Sequence, residues 1–168
     1  MKKEILLNEV EKCYMYYDQL KEEIDKHENI IILGNGGSSS ISSHIAQDYT
    51  KKLKKRSFTF SDASRLTCYS NDYGYENAYL QFLKEFSLPN QENLIILISS
   101  SGNSENILKC AEWCSQQENV SLITLTGFEE YNKLKQMQIS NRSINFWVDS
   151  KDYGIVECTH QIFLHMVV

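Results

Sequence analysis

Three features of the sequence predict an α/β fold: a three-layer sandwich with a five-stranded, mainly parallel sheet flanked by helices. Short unbroken apolar runs recur at 29–33, 93–99 and 120–126, as in strands buried on both faces. Two of these runs end in turns rich in Gly and Ser that lead straight into helical stretches. Amphipathic segments alternate with the strands, the pattern of parallel strands joined by crossover helices.

The elements follow in order. In 4–24 the apolar residues Leu7, Val10, Tyr14, Tyr17 and Ile24 fall at helical steps among Lys and Glu, which predicts one long N-terminal helix of about five turns. Its stripe must be buried on its own domain or against another copy, so residues 1–27 are expected to be an oligomerisation helix and 28–168 the α/β core of a single domain. The cluster Tyr14, Met15, Tyr16, Tyr17 reads as packing. Strand 29–33 ends at Gly34-Asn35-Gly36-Gly37, and 38–52 reads as helix. A short strand is expected at 58–60, a helix at 75–86, a strand at 93–99 and a helix up to about 117. Strands at 120–126 and 143–148 and a helix at 154–168 complete the chain. The apolar end of that last helix, 163–168, would normally continue or dock, so part of its last turns is expected to be missing.

The chain has 168 residues, 42% hydrophobic and 23% charged, with one proline and seven glycines, enough for one ordinary core and unlike a disordered chain. No apolar run approaches the ~20 residues that cross a bilayer, and the start lacks the apolar core of a signal peptide. A net charge of −5 argues against binding to nucleic acid. The five cysteines form no CxxC pair and read mostly as buried, reduced thiols, which fits a cytoplasmic setting.

In open parallel sheets, ligands bind beyond the carboxyl ends of the strands. Two loops there have unusual composition: Gly34-Asn35-Gly36-Gly37-Ser38-Ser39-Ser40 and Ser99-Ser100-Ser101-Gly102-Asn103-Ser104. Glycines let backbone N–H groups approach an anion, serines add uncharged donors, and a helix N-terminus adds a favourable dipole. Together they predict a site for a phosphate monoester; the plainer reading is a pair of capped turns. Neither GxGxxG nor GxxxxGK[ST] is present, so the phosphate belongs to a small metabolite rather than a dinucleotide or nucleoside triphosphate.

His44 and Asp48 stand one helical turn apart, and Glu157, His160 and His165 share the last helix. Imidazole with carboxylate serves zinc and neighbouring divalent metals, or general acid–base chemistry, or simply a surface hydrogen bond. Glu157 and His165 are separated by about 12 Å along one helix, so ligation of one ion by both requires different subunits. The run Lys51-Lys52-Leu53-Lys54-Lys55-Arg56 reads as a solvated helix end, with Lys52 also able to face the pocket.

Leu33-Gly34-Asn35-Gly36-Gly37-Ser38, followed by His44 and an acid four residues on, resembles the opening of the sugar isomerase (SIS) domain, a flavodoxin-like fold. Ser61-Asp62, Ser70-Asn71-Asp72-Tyr73-Gly74-Tyr75, Ile98 with the serine loop, Leu125-Thr126-Gly127 and the spacing of Glu157, His160 and His165 extend the resemblance to phosphoheptose isomerases. It implies conversion of sedoheptulose 7-phosphate to D-glycero-D-manno-heptose 7-phosphate, which supplies heptose for bacterial lipopolysaccharide or capsule. It also implies a homotetramer with active sites between subunits and one zinc ion per subunit. By position, the zinc ligands would be His44, Asp48, Glu157 and His165. Asn35, Gly36, Gly37, Ser38, Asn71 and Asp72 would line the substrate, together with Asp48 and Glu157. Ser99, Ser100, Ser101 and Ser104 would hold the phosphate. Asp48 would move the proton between carbons, and His165 the proton on oxygen.

Four departures from the family stand out. Asp48 replaces a Glu, Glu157 a Gln and Lys52 an Arg, while Phe128-Glu129-Glu130 occupies the place of a glycine pair. An isomerase of another sugar phosphate, or a non-catalytic SIS protein of the type that associates with the replication initiator, are the competing expectations. The latter type lacks the first-helix acid and the terminal histidine, and both are present here.

Overall fold

The computed structural model describes residues 2–168. Five parallel strands, β1 (Asn29–Gly34), β2 (Arg56–Thr59), β3 (Asn93–Ser99), β4 (Val120–Thr126) and β5 (Arg142–Trp147), form one sheet in the order β2-β1-β3-β4-β5. The helices are α1 (Lys2–Tyr14), α2 (Tyr17–Lys26), α3 (Gly37–Lys51), α4 (Ala63–Tyr73), α5 (Tyr75–Phe86), α6 (Glu105–Cys114), α7 (Lys133–Gln136) and α8 (Tyr153–His165). All four strand pairings are parallel, so every strand points its carboxyl end at the same edge. The order reverses between β1 and β3, and at that switch point the two flanking loops diverge and open a crevice.

Alternation along the strands builds two apolar layers. Ile30, Ile32, Ile96 and Ile98 face one side with Leu20, Tyr49 and Phe163, whereas Ile31, Leu33, Ile95 and Leu97 face the other with Phe82 and Ile107. Every residue of β1 and β3 is buried, which is why they read as unbroken apolar runs. Each such Ile or Leu contributes about 1.5–3 kcal/mol by leaving water. Tyr49 is fully buried and its hydroxyl donates to the Leu164 carbonyl at 2.8 Å, tying α3 to α8. Phe163 and Leu164 are buried, and Met166 and Val167 pack on the same layer, so the apolar end of α8 docks.

The long N-terminal helix is not continuous. Met15 and Tyr16 donate to Lys12 and Cys13 carbonyls three residues back, which tightens and ends α1, and α2 starts on a new axis. The break turns the Tyr16 ring edge-on against Phe146 and Phe163, at centroid distances of 5.4 and 6.0 Å. It also changes the buried face, which carries Glu9, Cys13, Leu20 and Ile24. Leu7, Tyr14 and Met15 are instead 51%, 62% and 82% exposed, so of the tyrosine-rich cluster Tyr16, partly buried, is the residue that packs against the core. Two helices lacked an expectation: α4, which has no buried residue, and the single turn of α7. Asp62 starts α4 by accepting from the Arg65 N–H at 2.9 Å. Among the described residues, no helix is long and apolar enough to cross a membrane.

Candidate active site

Nine of the residues expected in the site line one cavity of about 250 Å³ at the switch point. Asn35, Gly36, Gly37 and Ser38 form one wall, and Ser99, Ser100, Ser101 and Ser104 the facing one. Glu157 and Tyr153 close it from α8. Among the described residues, no Lys or Arg lines this cavity, so an anion would rely on N–H and hydroxyl donors.

The first wall follows from its glycines. Gly36 has φ +54°, a conformation an L side chain rarely adopts, and it leads into α3 with no side-chain cap. The N–H groups of Gly37 and Ser38, in the first turn, therefore lack helical partners and face the crevice with the positive end of the dipole. A side chain at Gly37 would overlap the Glu157 carboxylate, so helix and acid approach closely here.

The second wall is organised by its serines. Ser99 accepts from the Gly102 N–H at 3.1 Å and donates to Ser104 Oγ at 3.3 Å. Ser101 accepts from the Asn103 N–H at 3.2 Å. Ser104 precedes α6 without capping it through its side chain. Ser100 is only 6% exposed, yet its hydroxyl has no partner among the described residues. An unmade buried hydrogen bond costs roughly 1–3 kcal/mol, a cost that a ligand oxygen would remove. The plain capped-turn reading therefore accounts for the Ser99 and Ser101 hydroxyls but not for that of Ser100.

Away from this cavity, the packing of α3 on α8 gathers His44, Asp48 and His165. Asp48 Oδ2 lies 3.2 Å from His165 Nε2 and 3.9 Å from His44 Nε2, and the two imidazole nitrogens are 3.0 Å apart. The rings stack at 5.0 Å. Asp48 is 5% exposed, and Lys52 donates to the same Oδ2 at 3.1 Å. That hydrogen bond, helped by the charges of Lys52, His44 and His165, holds the Asp48 carboxyl below its usual range, so it is ionised at neutral pH.

The donor set fits a divalent metal. Bonds of about 2.0–2.1 Å in a tetrahedron put ligand atoms about 3.3 Å apart, close to the three spacings seen here. All three donors lie within 4.8 Å of one another and leave room for further ligands.

The structure does not bring every expected residue to one place. Glu157 lines the cavity while His165 joins the cluster, separated by eight residues, or about 12 Å, of α8. Asn71 and Asp72 lie on the exposed last turn of α4, bonded to each other at 3.0 Å, outside the cavity. His160 belongs to neither group. It is fully buried, donates through Nε2 to the Thr126 carbonyl at 3.0 Å, and burial lowers its pKa to about 4. Sequence reasoning missed Tyr153, although a residue one turn before Glu157 shares its helix face and so marks the same wall.

The SIS domain profile matches residues 5–127. A phosphoheptose isomerase from Fusobacterium nucleatum is 30% identical over 148 residues, 85% of this chain and 72% of that protein. One from Helicobacter pylori strain P12 is 31% identical over 154 residues, 88% of this chain and 76% of that one. The structure of phosphoheptose isomerase GmhA from Neisseria gonorrhoeae superposes with a TM-score of 0.74 at 21% identity, covering 99% of this chain and 86% of that one, and so shares the fold. With the serine-lined cavity at the switch point and nearly the whole chain matched, the protein belongs to the SIS domain family and, within it, to the phosphoheptose isomerases.

Proposed function

We propose that this protein is an aldose–ketose isomerase that converts D-sedoheptulose 7-phosphate to D-glycero-D-manno-heptose 7-phosphate, supplying heptose for bacterial surface glycans. The observation that carries the reading is Asp48: a nearly buried carboxylate, kept ionised, beside two imidazoles in a phosphoheptose isomerase chain. The reaction needs one proton moved from C1 to C2 through an enediol and one moved between O2 and O1. Asp48 removes the C1 proton and returns it to C2, and His165 handles the proton on oxygen. The unpartnered Ser100 hydroxyl, the other loop serines and the N–H groups opening α3 hold the phosphate.

His44, Asp48 and His165 would hold a zinc ion, with Glu157 as a further ligand, and Asp48 would alternate between metal and proton because a zinc-bound carboxylate is a poor base. When bound, the ion would supply a Lewis acid for the carbonyl oxygen. Because Glu157 and His165 are far apart on α8, a complete site draws on more than one copy, in keeping with a homotetramer. Exposed Leu7 and Tyr14 on α1, Met15 just beyond it, and a groove at Cys158, Ile162 and His165 on α8 offer apolar surface for that assembly. Asp48 is one methylene shorter than the family's Glu, and a displacement near 1 Å costs on the order of 10²-fold in rate, so turnover depends on the backbone bringing it closer.

The test is turnover of sedoheptulose 7-phosphate followed by NMR in deuterated water, with and without chelator. The expected result is the aldoheptose phosphate with deuterium at C2, lost on chelation and restored by zinc. Binding without turnover, zinc present, would point to a different sugar phosphate; no binding would favour a partner-binding SIS protein.

A further inference from the structure

The cavity wall holds an amide whose orientation is fixed from outside the site. Asn35 Oδ1 accepts from the Tyr75 hydroxyl at 2.8 Å and from Asn106 Nδ2 at 2.9 Å. Asn35 Nδ2 donates back to Asn106 Oδ1 at 2.9 Å. Asn106 is buried on the first turn of α6, and its Oδ1 also accepts from the Ile107 N–H at 3.0 Å. A backbone N–H can only donate, so this last bond determines which end of the Asn106 amide carries oxygen, and the reciprocal pair transmits that choice to Asn35. An amide has two N–H donors and two acceptor lone pairs. At Asn35 both lone pairs and one N–H are taken, and the second N–H has no partner among the described residues.

We propose that Asn106 and Tyr75 are positioning residues that lock Asn35 so that it offers the cavity one N–H and no acceptor. The lock makes Asn35 read an oxygen of the sugar chain, a carbonyl or the oxygen that gains charge as the enediol forms, and refuse a donor in the same place. A free amide would present either end, and half of its orientations would set C=O against a substrate oxygen. The role rests on the reading that this cavity takes a sugar phosphate. The lock itself does not.

The test compares binding of sedoheptulose 7-phosphate and inorganic phosphate by calorimetry to wild type, Asn106→Asp and Tyr75→Phe. A carboxylate at 106 still accepts from Asn35 and Ile107 but cannot donate to Asn35 Oδ1. Asn106→Asp is expected to weaken the sugar phosphate roughly tenfold, the scale of one hydrogen bond, and inorganic phosphate less than about twofold. Tyr75 is half exposed, so Tyr75→Phe folds, with a loss of about threefold confined to the sugar phosphate. Combining Asn35→Ala with Asn106→Asp should add nothing to Asn35→Ala alone, because the second residue acts through the first. Equal losses for both ligands, or additive losses, would overturn the proposal. If wild type binds inorganic phosphate but no sugar phosphate, the substrate reading fails and the lock is judged on the Asn35 side-chain amide signals. One of its two protons should then be protected from exchange in wild type and neither in Asn106→Ala, which removes the acceptor; equal exchange in both proteins would overturn it.

Discussion

The two edges of the sheet use the same small polar residues to opposite ends. At the amino edge, Asn29 and Asn93 are fully buried and bonded to each other, and Arg56 donates to Asn29. Asn93 also accepts from the Leu88 N–H at 2.9 Å and donates to the Leu88 and Gln91 carbonyls at 2.9 and 2.8 Å. Asn119 donates to the same two carbonyls, and Asn141 donates to the Cys114 and Val120 carbonyls, its Oδ1 being the one buried amide atom of this group without a partner among the described residues. Their amide donors close the loops that enter the strands. At the carboxyl edge, the buried Ser100 hydroxyl has no partner among the described residues, the Ser104 side chain does not cap α6, and Asn35 keeps one N–H without a partner among those residues. A satisfied polar network gives stability, whereas an unsatisfied one costs it until a ligand arrives. Stability and function are thus divided between the ends of one sheet.

Substitutions can break that division. The largest effect is expected at Asp48: Asp48→Asn should lower turnover on the order of 10²–10⁴-fold, the usual contribution of an acid–base residue, while unfolding and phosphate affinity stay as in wild type. At the opposite edge, Asn93→Ala strands the Leu88 N–H and the buried Asn29 amide N–H, and should lower stability by about 3 kcal/mol in urea, with kcat/KM of the folded fraction unchanged.

His160 lies beneath the functional edge but belongs to the core, and pH separates the two. Its pKa is about 4 when folded, below the ordinary value of 6.5, because burial disfavours the charged ring. The unfolded chain takes up the proton as pH falls through 6.5 and the folded chain does not until about 4. The contribution is therefore complete above pH 6.5 and lost across that window, up to about 3 kcal/mol at its acid end. His160→Gln keeps an N–H for the Thr126 carbonyl and removes the titration, so denaturation midpoints between pH 7 and 5 should fall less steeply than in wild type. The smallest effect on folding is expected at Ser100. Ser100→Ala removes the unmade bond and should raise stability by about 1 kcal/mol, yet weaken inorganic phosphate about fivefold, the reverse of Asn93→Ala.

What the sequence made legible follows the same physics. β3 and β4 were readable to the residue because strands covered on both faces leave unbroken apolar runs. The phosphate cavity was readable because loops of Gly and Ser at strand ends have few other reasons to exist. α4 was not, since its apolar face is only the partly buried Leu66 and Tyr69 with the exposed Tyr73, set among polar residues. The break at Tyr16 was hidden because no Gly or Pro marks the stretch Cys13 to Tyr17, and its cause, the rings of Phe146 and Phe163, lies far away in sequence. The pairing of His44 with Asp48 could be read from one helical turn. Their meeting with His165 required α3 docked on α8 through Tyr49, and the Asn35–Asn106–Tyr75 lock joins three separate elements. Local spacing carries neither.

The central claim is that the carboxyl edge, with its unsatisfied donors, is where the sugar phosphate binds. The most direct measurement is a crystal structure of Asp48→Asn, which should bind without turning over, soaked with sedoheptulose 7-phosphate. The account predicts the phosphate between the serine loop at 99–104 and the first turn of α3, with an oxygen on the Ser100 hydroxyl and the sugar chain against Asn35. Phosphate held instead by lysines elsewhere, such as Lys84 and Lys109 in the groove between α5 and α6, would contradict it.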